Sequence, residues 1–132
     1  MDDVSNDPRV GSVLQERYRI LERLAVGSMG IVYRAERLQL GRPLAVKFLH
    51  ASYAADPTFI QRFERETRVM GRLAHPHCVS VIDFGVDSGP YVVMEFVSGR
   101  TLRSLLEGGR QSVERAVYIT RQTLAGLAHA HS

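Results

Sequence analysis

Leu24-Ala25-Val26-Gly27-Ser28-Met29-Gly30-Ile31-Val32-Tyr33 is the stretch that decides the architecture. Gly27-Ser28-Met29-Gly30 is turn chemistry. Before it, from Tyr18 to Val26, apolar positions recur around Arg19, Glu22 and Arg23, as in a strand. After it, Ile31-Val32-Tyr33 is β-branched and aromatic, so strand character resumes. Glycines let a backbone approach a ligand closely and aim N–H groups at phosphate oxygens. A dinucleotide-binding glycine loop opens a helix. This one returns to strand, which argues against that fold and leaves either an ordinary hairpin or a phosphate-covering one.

Working outward, Gly41-Arg42-Pro43 is a second turn and Leu44–Leu49 a third strand, so the first three strands read as an antiparallel meander. That third strand carries the only lysine: of 17 Lys and Arg residues, Lys47 alone is lysine. An ammonium is a compact point charge, and arginine does not replace it where a single phosphate contact is needed. Asp56-Pro57 is a helix start, with Asp as N-cap and Pro in the first turn. The helix should run to about Leu73, before His75-Pro76. On a helical wheel Phe59, Phe63, Met70 and Leu73 share one face with Glu66 at its centre, while Glu64 points away and Arg62, Arg65, Arg68 and Arg72 lie on or near the outer side. A carboxylate facing a core needs a partner. Lys47 is the economical one, the other reading being a Glu at the stripe's edge that reaches water.

Val79–Phe84 and Tyr91–Val97 read as two more strands, Thr101–Glu107 as a short helix, and Ser112 as the cap of a last helix reaching His129. Several function classes are disfavoured. The arginines are scattered, without a basic block or interleaved aromatics, so no nucleic-acid partner is expected. No stretch approaches the roughly 20 apolar residues of a membrane span. A single cysteine, Cys78, excludes an internal disulfide and fits a reducing compartment. Met1–Asn6 is acidic and polar, unlike a secretory signal. These features point to a cytoplasmic location.

A glycine hairpin, a strand with one lysine, and a helix with an inward glutamate, in that order, resemble the N-terminal lobe of a protein kinase. The resemblance covers residues 18–132 and is closest to bacterial Ser/Thr kinases of the eukaryotic type. Ala45-Val46-Lys47 is similar to the V-A-I-K strand, Arg65-Glu66 to the glutamate that holds the lysine, and His75-Pro76-His77-Cys78-Val79 to H-P-N-I-V. Val93-Met94-Glu95-Phe96-Val97 resembles the hinge, followed by Gly99-Arg100-Thr101-Leu102.

The resemblance implies an α+β fold: a kinase-like N-lobe with a five-stranded antiparallel sheet and one main helix, then a hinge and two C-lobe helices. Residues 1–17 would be a tail, 18–94 the N-lobe, 95–100 the hinge and 101–132 the start of the C-lobe. It implies an ATP site built from Leu24, Ala25, Gly27, Ser28, Met29, Gly30, Val32, Ala45, Lys47, Glu66, Met94, Glu95 and Val97. In it Val32 packs on adenine, Met94 acts as gatekeeper, and the backbone of Glu95 and Val97 faces adenine. Lys47 contacts the α- and β-phosphates. Ala25 stands where the family has its first loop glycine, which should loosen binding without abolishing it. Asp83-Phe84-Gly85 spells D-F-G but precedes the hinge, so Asp83 reads as a polar strand-end residue.

The chain ends where the family reaches H-R-D-L-x-x-x-N, and the metal-binding D-F-G is also absent. No catalytic or metal-ligating residue is therefore expected in it, and Mg²⁺ would be held only with the missing segment. Two functions follow. One is the ATP-binding portion of a Ser/Thr kinase, inactive alone, with protein substrates in the intact enzyme. The other is a non-catalytic nucleotide- or protein-binding module. The apolar circumference of the last helix, with Val117, Ile119, Leu124 and Leu127, also suggests self-association.

Overall fold

The computed structural model describes residues 7–132. Along the chain run β1 (Val13–Leu14), β2 (Tyr18–Val26), β3 (Gly30–Arg37), β4 (Arg42–Leu49), α1 (Ala51–Ala54), α2 (Pro57–Gly71), β5 (Val81–Val86), β6 (Pro90–Glu95), α3 (Leu102–Glu107) and α4 (Val113–Ala130). The strands form one antiparallel sheet in the order β1-β2-β3-β4-β6-β5. The α+β class holds, with six strands where five were expected. The extra one is β1, too short to leave a periodic pattern. The chain divides into two compact units, residues 7–72 with 81–96, and residues 73–80 with 97–132.

In the first unit the pleat sorts side chains to two faces. Leu44, Val46 and Phe48 of β4 join Tyr18, Ile20, Tyr33, Ala35, Tyr91 and Val93 in one fully buried cluster. Leu49 of β4 and Val92 of β6 pack instead with Phe63 of α2, supported by Met29, Phe59, Ile60, Val81 and Met94. Asp56 caps α2 as expected, its carboxylate accepting the Thr58 N–H at 2.9 Å, with Pro57 in the first turn. The helix ends at Gly71, short of Leu73.

The stretch read as a tail is packed from Asp7 onward. Leu14 is buried in the first cluster, and the Arg9 guanidinium lies 4.1 Å from the centre of the Phe48 ring. Asp7 accepts hydrogen bonds from Tyr33 and from Arg23, the latter at 2.7 Å, and its side chain is only 4% exposed. Burial pushes the Asp7 carboxyl upward. Donation by Tyr33, Arg23 and the Arg9 N–H outweighs that and holds it below the ordinary aspartate value.

The second unit is tied together by histidines. Ala74 N–H donates to His129 Nε2 at 3.1 Å, His77 N–H donates to His75 Nδ1 at 3.0 Å, and His77 Nδ1 lies 2.9 Å from the Gln122 carbonyl. The His75 and His129 rings stack with centres 5.3 Å apart. A Cβ at Gly126 would come 3.1 Å from the His77 carbonyl oxygen, so glycine admits the 73–80 segment close to α4. These bonds join residues 73–80 to α4 within the second unit. Cys78, half-buried, donates to the Gly126 carbonyl at 3.6 Å. Thr101 and Ser112 cap α3 and α4. Val113, Val117, Tyr118, Leu124 and Leu127 of α4 are exposed. Among the described residues no helix is long and apolar enough to cross a membrane.

Asp7 yields a stability prediction with a defined pH window. Asp7→Asn should destabilise the chain by about 1–3 kcal/mol at pH 7, because it weakens charge-assisted bonds at a buried site. A depressed carboxyl stabilises the fold above its unfolded value near 3.8 and loses that contribution as the pH falls through the lower folded value. Thermal melts should therefore show a full deficit at pH 7 that shrinks below about pH 4. A deficit independent of pH would contradict it.

Candidate functional site

Directly paired residues share a face of the sheet, so the ladder places the candidate site in rows. Ala25 opposes Val32, Val32 opposes Lys47, and Lys47 opposes Val92. One row away, Ala45 opposes Met94, and Gly30 opposes Leu49. Ala25, Gly30, Val32, Ala45, Lys47 and Met94 thus fall on one face, the one that also carries Leu49 and Val92. Leu24 sits at the irregularity between Arg23 and Ala25 and is exposed. Glu95 ends β6 opposite Leu44, and Val97 belongs to the second unit.

The glycine turn is closed by the Gly27 N–H donating to the Gly30 carbonyl at 2.8 Å. Its tip is polar and open: among the described residues the Ser28 and Met29 N–H groups donate to no protein acceptor. The Met29 side chain tucks against the Leu49–Phe63–Val92 cluster. The two glycines have different reasons to be there. A Cβ at Gly30 would land on the Phe48 carbonyl oxygen, and one at Gly27 would meet nothing closer than 3.6 Å. Lys47 is half-buried, and its Cε lies 3.4 Å from where that Gly30 Cβ would stand, so the lysine stem runs along the base of the turn.

The Lys47–Glu66 ion pair inferred from the helical wheel is not formed. Glu66 is exposed and accepts from Arg62 Nε at 3.1 Å, one helical turn away. Lys47 forms no ion pair among the described residues. The buried positions of α2 are Phe63 and Thr67. Neighbouring helix residues point about 100° apart, so burying Thr67 turns Glu66 to the edge of the stripe. Thr67 can be buried because its hydroxyl donates to the Phe63 carbonyl at 2.8 Å. Met70, placed on the inward face by the wheel, is exposed too.

Asp83 accepts from the Tyr18 hydroxyl at 2.6 Å and lies 3.5 Å from Arg17, an anchor between strands inside β5. Sequence reasoning missed His50. Its Nε2 lies 2.8 Å from the Gly27 carbonyl, and its backbone N–H donates to the Met29 carbonyl at 2.8 Å. Only its place one residue beyond an apolar strand that pairs with the turn could have signalled this.

This order of glycine turn, lysine strand, helix and hinge strand matches the protein kinase domain family over residues 18–132. The chain belongs to the protein kinase family. It is 41% identical over 132 residues to the serine/threonine-protein kinase PknA of Mycobacterium tuberculosis, covering 95% of this chain and 31% of that protein. It is 40% identical over 121 residues to the serine/threonine-protein kinase pkn2 of Myxococcus xanthus, covering 90% of this chain and 14% of the relative. The crystal structure of the Mycobacterium tuberculosis PknI kinase domain superimposes with a TM-score of 0.77 at 29% identity, covering 92% of this chain and 51% of that one. The chain thus spans a third or less of these curated kinases.

The two glycines should separate in thermal melts. Gly30→Ala drives a methyl into a backbone carbonyl and should cost about 1–3 kcal/mol. Gly27→Ala, at an exposed and open position, should stay within about 0.5 kcal/mol of the parent. Equal melting temperatures for the two variants would overturn the distinction.

Proposed function

We propose that these residues form the ATP-binding part of a Ser/Thr protein kinase. What supports the reading most is the pair of unpartnered N–H groups, Ser28 and Met29, at the tip of a turn whose base carries Lys47. Backbone donors that no protein group satisfies, beside a cation, suit phosphate oxygens. Val32, Ala45 and Met94 lie on the same face of the sheet and would offer a purine an apolar surface, with the Glu95 backbone at its edge. Ala25 adds one exposed methyl at the front of the turn.

In an intact kinase of this family the bound nucleotide supplies the phosphoryl group and Mg²⁺ balances its charge, and transfer is mainly positioning. The present residues would do three things in that scheme. The turn would cover the phosphates, Lys47 would hold them, and the β4–β6 surface would seat the base. The substrate would be a protein Ser or Thr hydroxyl, by likeness to the named relatives. Catalytic Asp and metal-binding groups are not among these 132 residues, so the chain by itself would bind and not transfer. With Glu66 on Arg62, Lys47 would lack its orienting partner until α2 turned. That favours a binding role for the isolated chain and keeps the non-catalytic module as the second reading.

The test is calorimetric titration with ATP and a phosphotransfer assay on the same preparation. The wild-type chain should bind ATP weakly, Lys47→Met should weaken it about tenfold or more through loss of a charge-assisted contact, and neither should transfer phosphate. Equal affinities would remove Lys47 from the site, and clear turnover would contradict the inactivity of the chain.

A further inference from the structure

The glycine turn is held from outside by a residue that has no part in the kinase-like pattern. His50 follows β4 directly, and its backbone N–H reaches the Met29 carbonyl at 2.8 Å, adding a rung beyond the Gly30–Leu49 pair. Its ring then crosses to the other end of the turn, where Nε2 lies 2.8 Å from the Gly27 carbonyl. A carbonyl only accepts, so Nε2 carries the proton. It does so in the Nε2–H tautomer and in the imidazolium alike, and protonation leaves the bond in place. The ring also lies 6.5 Å, centre to centre, from Tyr53.

The consequence follows from peptide planarity. In a trans peptide the carbonyl of one residue and the N–H of the next point in opposite directions. A Gly27 carbonyl held on His50 therefore turns the Ser28 N–H away from His50. That is one of the two N–H groups left without a protein acceptor. Gly27 has no Cβ to restrain its own rotation, so the peptide would flip readily without a tether.

We infer that His50 is a positioning residue for the phosphate-binding turn: its Nε2–H fixes the Gly27–Ser28 peptide so that the Ser28 N–H is presented to a phosphate oxygen. It touches no ligand. It raises the fraction of turns ready to bind, and apparent affinity scales with that fraction. The inference rests on the ATP reading of the site and deepens it. It separates the two halves of the nucleotide, because the tether bears on phosphates and not on the base.

Two variants isolate the N–H. His50→Phe keeps a ring beside Tyr53 and deletes the donor, and His50→Gln restores a donor at similar reach. With the 132-residue chain, His50→Phe should weaken ATP binding about three- to tenfold, the span of one net hydrogen bond. Adenosine binding should be unchanged, and His50→Gln should return to within about twofold of wild type. With no nucleotide present, the Ser28 amide resonance should shift in His50→Phe and return in His50→Gln. Wild-type ATP affinity in His50→Phe, or equal losses for ATP and adenosine, overturns the inference while leaving the ATP reading intact. An unmoved Ser28 amide resonance in His50→Phe overturns the tether itself. Failure of the wild-type chain to bind ATP overturns the ATP reading, and this role with it.

Discussion

Strand β4 is the constraint on which the first unit depends. It pairs with β3 on one side and β6 on the other, so each of its side chains is committed to a face by the pleat. Leu44, Val46 and Phe48 go to one cluster and Leu49 to the other. Lys47 must then share a face with Leu49, in line with Val32 and Val92. A one-residue slip would bury the ammonium among Tyr18, Tyr33 and Tyr91 and move Val46 and Phe48 out of that cluster to the opposite face. The buried residues on both faces exclude that slip at a cost of several kcal/mol. The position of the only lysine is thus a by-product of core packing.

The two faces are finished differently. Residues 7–14 seal one of them, with Leu14 inside, Arg9 over Phe48 and Asp7 neutralising Arg23. Tyr18 and Asp83 tie β2 to β5. The other face is covered by α2 over Leu49, Phe63 and Val92. Near Gly30 and Lys47 it ends in the Ser28 and Met29 N–H groups, which donate to no acceptor among the described residues. The glycine turn is open to solvent there, pressed onto the Phe48 carbonyl at one end and bonded to His50 at the other, so its free donors are accessible to a ligand.

The order of elements was legible because each rests on local chemistry. Gly27 and Gly30 between β-branched runs, Asp56-Pro57 at a helix start, and Ser112 before an apolar helix are all read within a few residues. What was not legible depends on partners far along the chain. A two-residue β1 is defined by its pairing with β2, and Asp7 by Tyr33 and Arg23. The face of α2 was misjudged by about one position. A buried Thr67 looks polar in sequence and becomes apolar in effect once its hydroxyl is spent on Phe63. Grouping residues 73–80 with α4 rests on histidine bonds to backbone atoms some 45 to 55 residues away, which no periodicity announces. The sheet register puts Ala25, Gly30, Val32, Ala45, Lys47 and Met94 on one face, while Glu66 bonds Arg62 on its own helix.

The central claim is that the open N–H groups of the turn and Lys47 form a phosphate clamp. Amide shift mapping during an ATP titration of the ¹⁵N-labelled chain tests it most directly. The largest changes should fall on the Ser28 and Met29 amides, with Lys47 next and the amides of α4 unmoved. Saturable changes centred on another surface, with Ser28 and Met29 unmoved, would contradict it.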